Sequence, residues 1–295
     1  MDGMSDAFRA HIADGQTTLC RCWAITRSDG QVFGFTDHDL TLSFEGVTFK
    51  ADTGLSARVL SQTSGLSVDN TEALGALSDA SVTEADIEAG RFDGAEVRSW
   101  RVNWADVSQR WLQFRGSIGE LRRSGGAFHA ELRGLTEALN RPLGRVFQKP
   151  CTAVLGDRAC GFDLSQPGYQ TEVEVDEVYE ARVFRWDTLP GFDDGWFARG
   201  RMTVGSGLAK GLWSIIKTDR FVNGLREIEL WTPVRASVLP GDLVTLSAGC
   251  DKRMETCRLK FNNLLNYQGF PDVPSEDWVL SVPKSTGANT GGSRR

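Results

Sequence analysis

Four of the six cysteines occur as two pairs in separate stretches of the sequence. Eight residues separate Cys151 from Cys160, and six separate Cys250 from Cys257. Four thiolates can complete a zinc site or hold an iron-sulfur cluster. Zinc sites of this composition usually rest on pairs with about two to four intervening residues, whereas iron-sulfur clusters accept looser loops. The spacing therefore favours an iron-sulfur cluster, with zinc, buried free thiols and a disulfide pair as alternatives.

Glycine stands next to one cysteine in each pair, as Gly161 and Gly249. Without a Cβ, the backbone at these positions can approach a bulky inorganic centre. Histidine is absent from both stretches, which removes mixed Cys/His zinc ligation from consideration. The three histidines of the chain are His11, His38 and His129.

The other two cysteines, Cys20 and Cys22, lie in a segment that is predicted to be a strand. Because side chains alternate with a period of two, both thiols share one face of that strand. A C-x-C pair can bind metal or exchange disulfides. We interpret this one as two small residues on a strand face and assign it no ligand role.

The elements that must position the cysteine pairs are predicted to be mainly β. Alternating apolar segments and the hairpin turns Ser124-Gly125-Gly126 and Asn223-Gly224 indicate antiparallel strands. Residues 196–250 are expected to form a small antiparallel barrel that ends at Cys250. Short helices are expected at 69–77, at 83–89 with Thr83 as N-cap, and at 254–266. The predicted fold class is therefore mainly β (β-rich α+β), with antiparallel sheets and barrels, short helices and a four-cysteine metal-bearing junction.

The sequence pattern divides the chain into four parts. These are an N-terminal arm (1–16), a β-rich N-terminal domain (17–150), a C-terminal domain with the cysteine loops and the small barrel (151–283), and a Gly/Ser-rich flexible tail (284–295).

Composition and charge restrict the function. The 33 basic and 39 acidic residues give a net charge of −6, which argues against a surface that holds nucleic-acid phosphates by counterion release. No apolar run approaches the roughly 20 residues that span a bilayer, and the N-terminus lacks the pattern of a secretory signal. We expect synthesis in the cytoplasm, where thiols stay reduced.

Several stretches resemble one known protein family. GDRACGFD and AGCDKRMETCRLKFNNLLNYQGFP are similar to the C-terminal signature of the hub (tail-tip) proteins of gene transfer agents and related siphophage tails, a family that includes the tail-tip protein L of phage lambda. ITRSDGQVFGFTDHDLTL, EADIEAGRFDGAEVRSWRVNWAD and DGWFARGRMTVGSG are among further similar blocks, so the resemblance extends from about residue 17 to about residue 283. In that family four cysteines hold a 4Fe-4S cluster. The matching positions here are Cys151, Cys160, Cys250 and Cys257.

The resemblance implies a structural role without enzymatic activity. It implies a homotrimeric ring in a virion-like tail tip, which joins the distal tail protein ring to a larger tip or fibre-bearing protein. The ring would let DNA pass without specific binding, would not insert into a membrane by itself, and would be stabilised by the cluster. The alternatives are an iron-sulfur redox enzyme and a zinc-binding interaction module.

Catalysis has little support in the sequence. No histidine has a nucleophile motif around it, and no phosphate-binding glycine loop is present. A redox enzyme would need a second cofactor or a substrate pocket, and the sequence indicates neither.

Acidic residues are expected to line the lumen of such a ring, where they would repel the DNA backbone. The candidates are Glu172, Glu174, Asp176, Glu177, Asp193 and Asp194.

Overall fold

The computed structural model describes residues 4–15, 17–51, 55–56, 70–75, 83–124, 127–134, 144, 146–187 and 189–273, with side chains omitted at 55–56, 70–75, 120–124 and 127–130. These residues form two compact units, one within residues 1–142 and the other within residues 143–295. The sequence pattern predicts a boundary between residues 150 and 151. The tail predicted at 284–295 lies outside the described residues.

A single nine-stranded sheet organises the first unit. Its strand order is β3-β4-β2-β1-β7-β8-β9-β6-β5, antiparallel except for the pair β2–β4. Two short helices accompany it, α1 (Asp6–Ala13) and α2 (Glu84–Glu88). The strands are β1 (Leu19–Thr26), β2 (Val32–Thr36), β3 (Leu42–Phe44), β4 (Val47–Ala51), β5 (Leu55–Ser56), β6 (Asn70–Gly75), β7 (Glu96–Asn103), β8 (Arg110–Ser124) and β9 (Ala127–Gly134).

Both faces of this sheet are packed, because residues along β1 alternate between two apolar clusters. Trp23 and Ile25 belong to one cluster, and Cys20 and Cys22 belong to the other. The second cluster includes Trp100, whose indole ring makes edge contacts with two phenylalanine rings at centroid distances of 5.5 and 5.7 Å. The two thiols therefore share one strand face, as the period of two predicts.

Two of the predicted helices lie in the first unit, and only one of them forms. The Thr83 side chain accepts the N–H of Asp86 at 3.1 Å and caps α2, as predicted. The helix predicted at 69–77 is wrong, because β6 lies there and pairs with β9 along its whole length. Apolar spacing in this short segment resembles a helix, but its Asn, Thr and Gly residues are weak helix formers, and pairing with a long neighbouring strand prevails.

The second unit contains a seven-stranded antiparallel sheet in the order β10-β16-β13-β14-β15-β12-β11. Its strands are β10 (Gln170–Glu174), β11 (Glu177–Tyr179), β12 (Val183–Trp186), β13 (Arg201–Val204), β14 (Trp213–Val222), β15 (Leu225–Leu230) and β16 (Leu243–Ser247). Helix α3 (Met254–Leu259) and a 3-10 turn (Leu264–Asn266) follow. Asn223 and Gly224 join β14 to β15 with φ angles of +52° and +86°, as the two-residue hairpin turn predicts.

This sheet curls into a half-barrel around one core. The edge strands β10 and β11 are consecutive in the chain, separated only by Val175 and Asp176. Two hydrogen bonds hold this corner, from the Val175 N–H to the Asp242 carbonyl (2.9 Å) and from the Gly241 N–H to the Val175 carbonyl (2.8 Å). The barrel predicted at 196–250 is therefore too short, because β10, β11 and β12 from residues 170–186 complete it.

A fully buried ion pair stands inside the second unit, between Arg226 of β15 and Asp219 of β14. The guanidinium donates twice to the carboxylate, at 2.8 and 2.7 Å, and also to the carbonyls of Phe192 (2.9 Å) and Asp193 (2.8 Å). Asp219 additionally accepts the N–H of Phe197 at 2.8 Å. The pair thus fixes the loop from Phe192 to Phe197 against the barrel.

Within the described residues, no helix has the length and apolar character needed to cross a bilayer.

We predict that Asp219→Ala destabilises the second unit by about 3–5 kcal/mol, because it leaves the Arg226 charge buried without a partner. The measurement is hydrogen exchange of the amides in β14 and β15, which reports the free energy of opening of this unit. Arg182→Ala is the matched control, since Arg182 pairs with Glu229 while 41% exposed, and it should cost less than about 1 kcal/mol. Equal effects of the two substitutions would contradict the prediction.

Candidate metal centre

The four predicted ligands come together in the second unit. Cys151, Cys160, Cys250 and Cys257 all line one small cavity, and each is partly buried. The other residues that line the cavity are Ala153, Leu155, Lys252, Arg253, Phe261, Asn263 and Asn266.

The first cysteine loop (residues 151–163) is held by Asp157. Its carboxylate accepts the backbone N–H groups of Val154 (2.8 Å) and Cys160 (2.7 Å), and its carbonyl accepts the N–H of Gly161 (2.7 Å). These N–H bonds lower the pKa of Asp157 below its usual value. Gly161 has φ +63°, a conformation that glycine adopts without strain. The loop is thus a compact turn that fixes Cys160.

Gly249 places the second cysteine loop (residues 249–271) against the half-barrel. Its N–H donates to the Trp196 carbonyl at 3.0 Å, and a Cβ built at this position would lie 1.7 Å from the Ala198 carbonyl oxygen. Glycine is therefore required here because two backbone segments touch. The predicted reason, approach of the backbone to an inorganic centre, is wrong for Gly249, since its nearest neighbours are protein backbone atoms.

Helix α3 presents Cys257 and then ends early. The predicted helix at 254–266 is wrong beyond Leu259, because Asn262 adopts φ +46° and the N–H of Asn263 donates to the Cys257 carbonyl at 3.0 Å. This reversal turns Asn263 towards the first loop, where its Nδ2 donates to the Cys160 carbonyl at 2.7 Å.

Protein hydrogen bonds join the two loops directly. The Cys151 N–H donates to the Lys252 carbonyl at 2.9 Å, and Lys252 Nζ donates to the Ala153 carbonyl. The Tyr267 hydroxyl donates to the Lys149 carbonyl at 2.7 Å. The two cysteine pairs are consequently held near each other by bonds that do not involve sulfur.

Three of the four sulfurs accept N–H groups. The backbone N–H of Lys252 points to Cys250 Sγ (3.4 Å), that of Gln268 to Cys151 Sγ (3.4 Å), and Asn263 Nδ2 to Cys160 Sγ (3.6 Å). The Cys257 thiol instead donates to the Asn263 carbonyl at 3.2 Å. N–H donors aimed at sulfur stabilise the thiolate form, which is the form that binds metals.

Two of the four thiols have pKa values raised above the usual value, chiefly by burial. Burial raises the pKa of Cys250, partly opposed by Lys252. Burial, reinforced by the negative charges of the other three cysteines, raises the pKa of Cys257 to about 11. A metal centre would have to displace the protons of these thiols, as thiolate ligation requires.

The four thiols line one cavity but do not form a ready-made metal-ion site. Among the described residues, no group of three or more His, Cys, Asp or Glu side chains could hold a metal ion. A single Zn²⁺ with Zn–S bonds of about 2.3 Å draws all four sulfurs into one tight tetrahedron. In a cluster each thiolate can bind a different iron, so the sulfurs stand further apart around a larger core. The donor set, four cysteines and sulfur-directed N–H groups, fits such a cluster chemically.

Lys260 supports the second loop, and the sequence analysis did not identify it. Its ammonium lies 4.2 Å from the Trp196 ring centroid and donates to the carbonyls of Trp196 (2.6 Å) and Gly249 (2.9 Å). Burial lowers its pKa to about 8. Nothing in its spacing distinguishes this lysine from the exposed charges of a short helix, so no sequence signal could have found it.

Cys20 and Cys22 are placed elsewhere, in the buried apolar cluster of the first unit. The Cys20 thiol contacts the Val102 carbonyl at 3.6 Å, and the Cys22 thiol contacts Thr36 Oγ1 at 3.5 Å. Neither belongs to the residues that line the four-cysteine cavity.

Two family models match the chain. One, described as "Baseplate hub protein, N-terminal attachment domain", matches residues 5–163, more than half of the chain. The other, described as "Phage conserved hypothetical protein BR0599", matches residues 195–277. The four cysteines divide evenly between the two matches, two in each. No curated protein sequence matches this chain.

A solved structure is similar over nearly the whole chain. It is a chain from the virion of a native gene transfer agent (GTA) particle, 51% identical to this one, with a TM-score of 0.90. The match covers 98% of this chain and 99% of that chain. Family match and structural match agree with the resemblance read from the sequence, and the chain belongs to the baseplate hub proteins of gene transfer agents and related phage tails.

Proposed function

We propose that this chain is the structural hub subunit of a virion-like tail tip. Three copies form a ring that joins the distal tail ring to a larger tip or fibre-bearing protein and lets DNA pass. The protein is made and assembled in the cytoplasm and then becomes part of the particle. The observation that supports this proposal most strongly is the 51% identity, over 98% of the chain, to a chain of a GTA virion.

Deletion of this protein from the producing cell tests the structural role. We expect particles without the deleted hub to lack the distal tip and to deliver no DNA, because the parts beyond the hub lose their attachment. Electron microscopy of purified tails and a DNA-transfer assay give the two readouts, with the wild-type chain supplied in trans as the control. Normal tips and normal transfer in the deletion would refute the hub role.

We further propose that Cys151, Cys160, Cys250 and Cys257 hold a 4Fe-4S cluster. Support comes from the shared cavity and from the N–H groups directed at three sulfurs. When bound, the cluster supplies a covalent cross-link between two loops. The chain's own residues position the ligands, and Lys252 contributes positive charge beside Cys250.

The proposed role of the cluster is mechanical. Because 89 residues separate Cys160 from Cys250, a shared centre closes a long loop and is worth on the order of a few kcal/mol. Part of that loop entropy is already lost through the bonds from Cys151 to Lys252 and from Asn263 to Cys160. The cross-link therefore adds to a preformed junction, and its effect should fall below the full loop-closure value.

Replacing any one of the four ligands by Ser should remove the visible colour and lower thermal stability to a similar extent. Three thiolates hold a cluster poorly, and each substitution leaves the same two loops untied. Iron and sulfide content, visible absorbance and Tm of protein purified without oxygen are the measurements. Cys20→Ser and Cys22→Ser are matched controls and should retain iron and colour.

Two results would contradict this proposal in different ways. If the purified protein contained stoichiometric zinc without iron or sulfide, the four cysteines would still be ligands but the cluster would be ruled out. If none of the four substitutions changed stability or assembly, the cross-link itself would be ruled out.

The acidic residues of β10, of β11 and of the corner between them are proposed to face the DNA path. Glu172, Glu174, Asp176 and Glu177 are all exposed, and a negative wall repels phosphates so that DNA slides without binding. We predict that Glu172→Lys with Glu174→Lys slows DNA delivery while particle number stays unchanged, since cations on the wall would bind phosphates.

Charge controls separate this effect from a change of fold. Glu172→Gln with Glu174→Gln should retain most delivery, because neutral amides do not attract phosphate. Delivery per particle, measured by DNA transfer against particle count, gives the readout. Full delivery by the lysine variant would show that these carboxylates serve solubility and do not line the path.

A further inference from the structure

A second concavity lies beside the cysteine cavity, and nothing in the hub role assigns it a ligand. It is a groove of about 450 Å³ in the second unit. One wall is formed by residues of β13, β14 and β16 on the half-barrel, and the other by residues of the two cysteine loops. We call it the β13 groove, after the strand that contributes Arg201 and Thr203.

The β13 groove is cationic although the protein as a whole has a net charge of −6. Arg199, Arg201 and Lys252 line it, and none of the residues that line it is acidic. Among the described residues, neither arginine forms an ion pair: Arg201 Nε donates to the Thr203 hydroxyl (3.0 Å), and Arg199 Nη1 donates to the Asp251 carbonyl (3.3 Å). Both guanidinium groups thus have donors left for an anionic ligand.

An apolar strip accompanies the positive charge. Val154 and Ile215 line the β13 groove and are exposed. Trp213, which is 55% exposed, pairs with Thr203 across the two strands and packs against the Arg201 guanidinium at 5.0 Å. An aromatic ring stacked on arginine beside an apolar strip is typical of protein interfaces.

We propose that the β13 groove docks a short acidic segment of a neighbouring tail protein, with carboxylates on Arg199 and Arg201 and an apolar side chain between Val154 and Ile215. The identity of the neighbour as a tail protein rests on the proposed function. Arginine binds carboxylates through paired N–H bonds, which gives both strength and direction. Charge complementarity favours a ligand that bears carboxylates, and the apolar strip favours a polypeptide over a nucleic acid.

A nucleic acid suits this groove less well. Nucleic-acid sites rely on many cations along the phosphate chain and, for single strands, on aromatic rings that stack successive bases. Here only three cations lie together, on a protein whose net negative charge repels a long polyanion.

Docking in the β13 groove is linked to the metal centre through shared residues. Leu155, Cys250 and Lys252 line both the groove and the four-cysteine cavity. A centre that ties the cysteine loops therefore fixes one wall of the groove, and binding should weaken when the loops are untied.

The first test uses the isolated protein and a fluorescein-labelled probe peptide with the sequence Glu-Leu-Glu-Leu-Glu. We expect fluorescence polarisation to show binding that weakens with added salt. Arg199→Glu with Arg201→Glu should reduce the affinity at least tenfold, and the double change to Gln should reduce it by a smaller factor. Lys50→Glu with Lys149→Glu is the matched control, because it changes the net charge equally at two exposed sites outside the groove, and should leave the affinity unchanged.

Specific outcomes would overturn the proposal. The first is equal binding of a Gln-Leu-Gln-Leu-Gln probe. The second is equal binding of the acidic probe by the Arg199→Glu, Arg201→Glu variant with an unchanged circular dichroism spectrum. The third is tighter binding of a single-stranded oligonucleotide than of the acidic probe. These measurements do not depend on tail assembly, so the groove can fail while the hub role stands, and the reverse.

The second test identifies the occupant in assembled particles. A photo-crosslinking benzoylphenylalanine at position 203, inside the groove, should form a cross-link to an acidic segment of another tail protein. The same residue at position 179, where exposed Tyr179 lies outside the groove, serves as the control and should not form that cross-link. A cross-link from position 203 to DNA, to a segment without carboxylates, or to nothing would overturn the proposal.

Discussion

The ion pair between Asp219 and Arg226 determines where the four-cysteine cavity can lie. Arg226 binds the carbonyls of Phe192 and Asp193, and Asp219 binds the N–H of Phe197. These bonds hold the loop from Phe192 to Phe197 in one position. The Trp196 carbonyl within that loop accepts both the Gly249 N–H and the Lys260 ammonium. Through these contacts the barrel interior fixes the backbone on either side of Cys250 and Cys257.

Such a pair contributes to specificity more clearly than to net stability. Removing two charges from water costs several kcal/mol per ion, and their attraction roughly offsets that cost when every hydrogen bond is made. Here two hydrogen bonds join the guanidinium to the carboxylate, and both groups also form hydrogen bonds with the backbone of the loop. An alternative loop position would leave buried charge unsatisfied, so the arrangement excludes alternatives. Cysteines held in this way would need little rearrangement to bind the proposed metal centre.

Local chemistry made part of this structure predictable. Cysteine type and grouping indicated which residues meet at the cavity, Asn223-Gly224 indicated a hairpin, and Thr83 indicated a helix start, because each signal lies within a short stretch of sequence. The buried pair was not predictable, although alternation along β15 places Arg226 on the same face as the buried residues Ile228 and Leu230. A β-bulge between Ile216 and Thr218 shifts the register of β14 and turns Asp219 inward. No sequence pattern predicts this bulge.

The buried core beside the four cysteines is small. Among the described residues, the half-barrel has one cluster of fifteen buried residues, whereas the cluster beside the cysteines has three, Phe162, Ala248 and Phe261, with partly buried side chains packed against them. Apolar residues of the second cysteine loop face outward, with Leu259 75% and Leu265 100% exposed. Hydrophobic burial therefore stabilises this region only weakly, as in small domains that depend on disulfides or metals. The four cysteines line their cavity beside this small core, so the proposed centre would add a cross-link where hydrophobic burial contributes least.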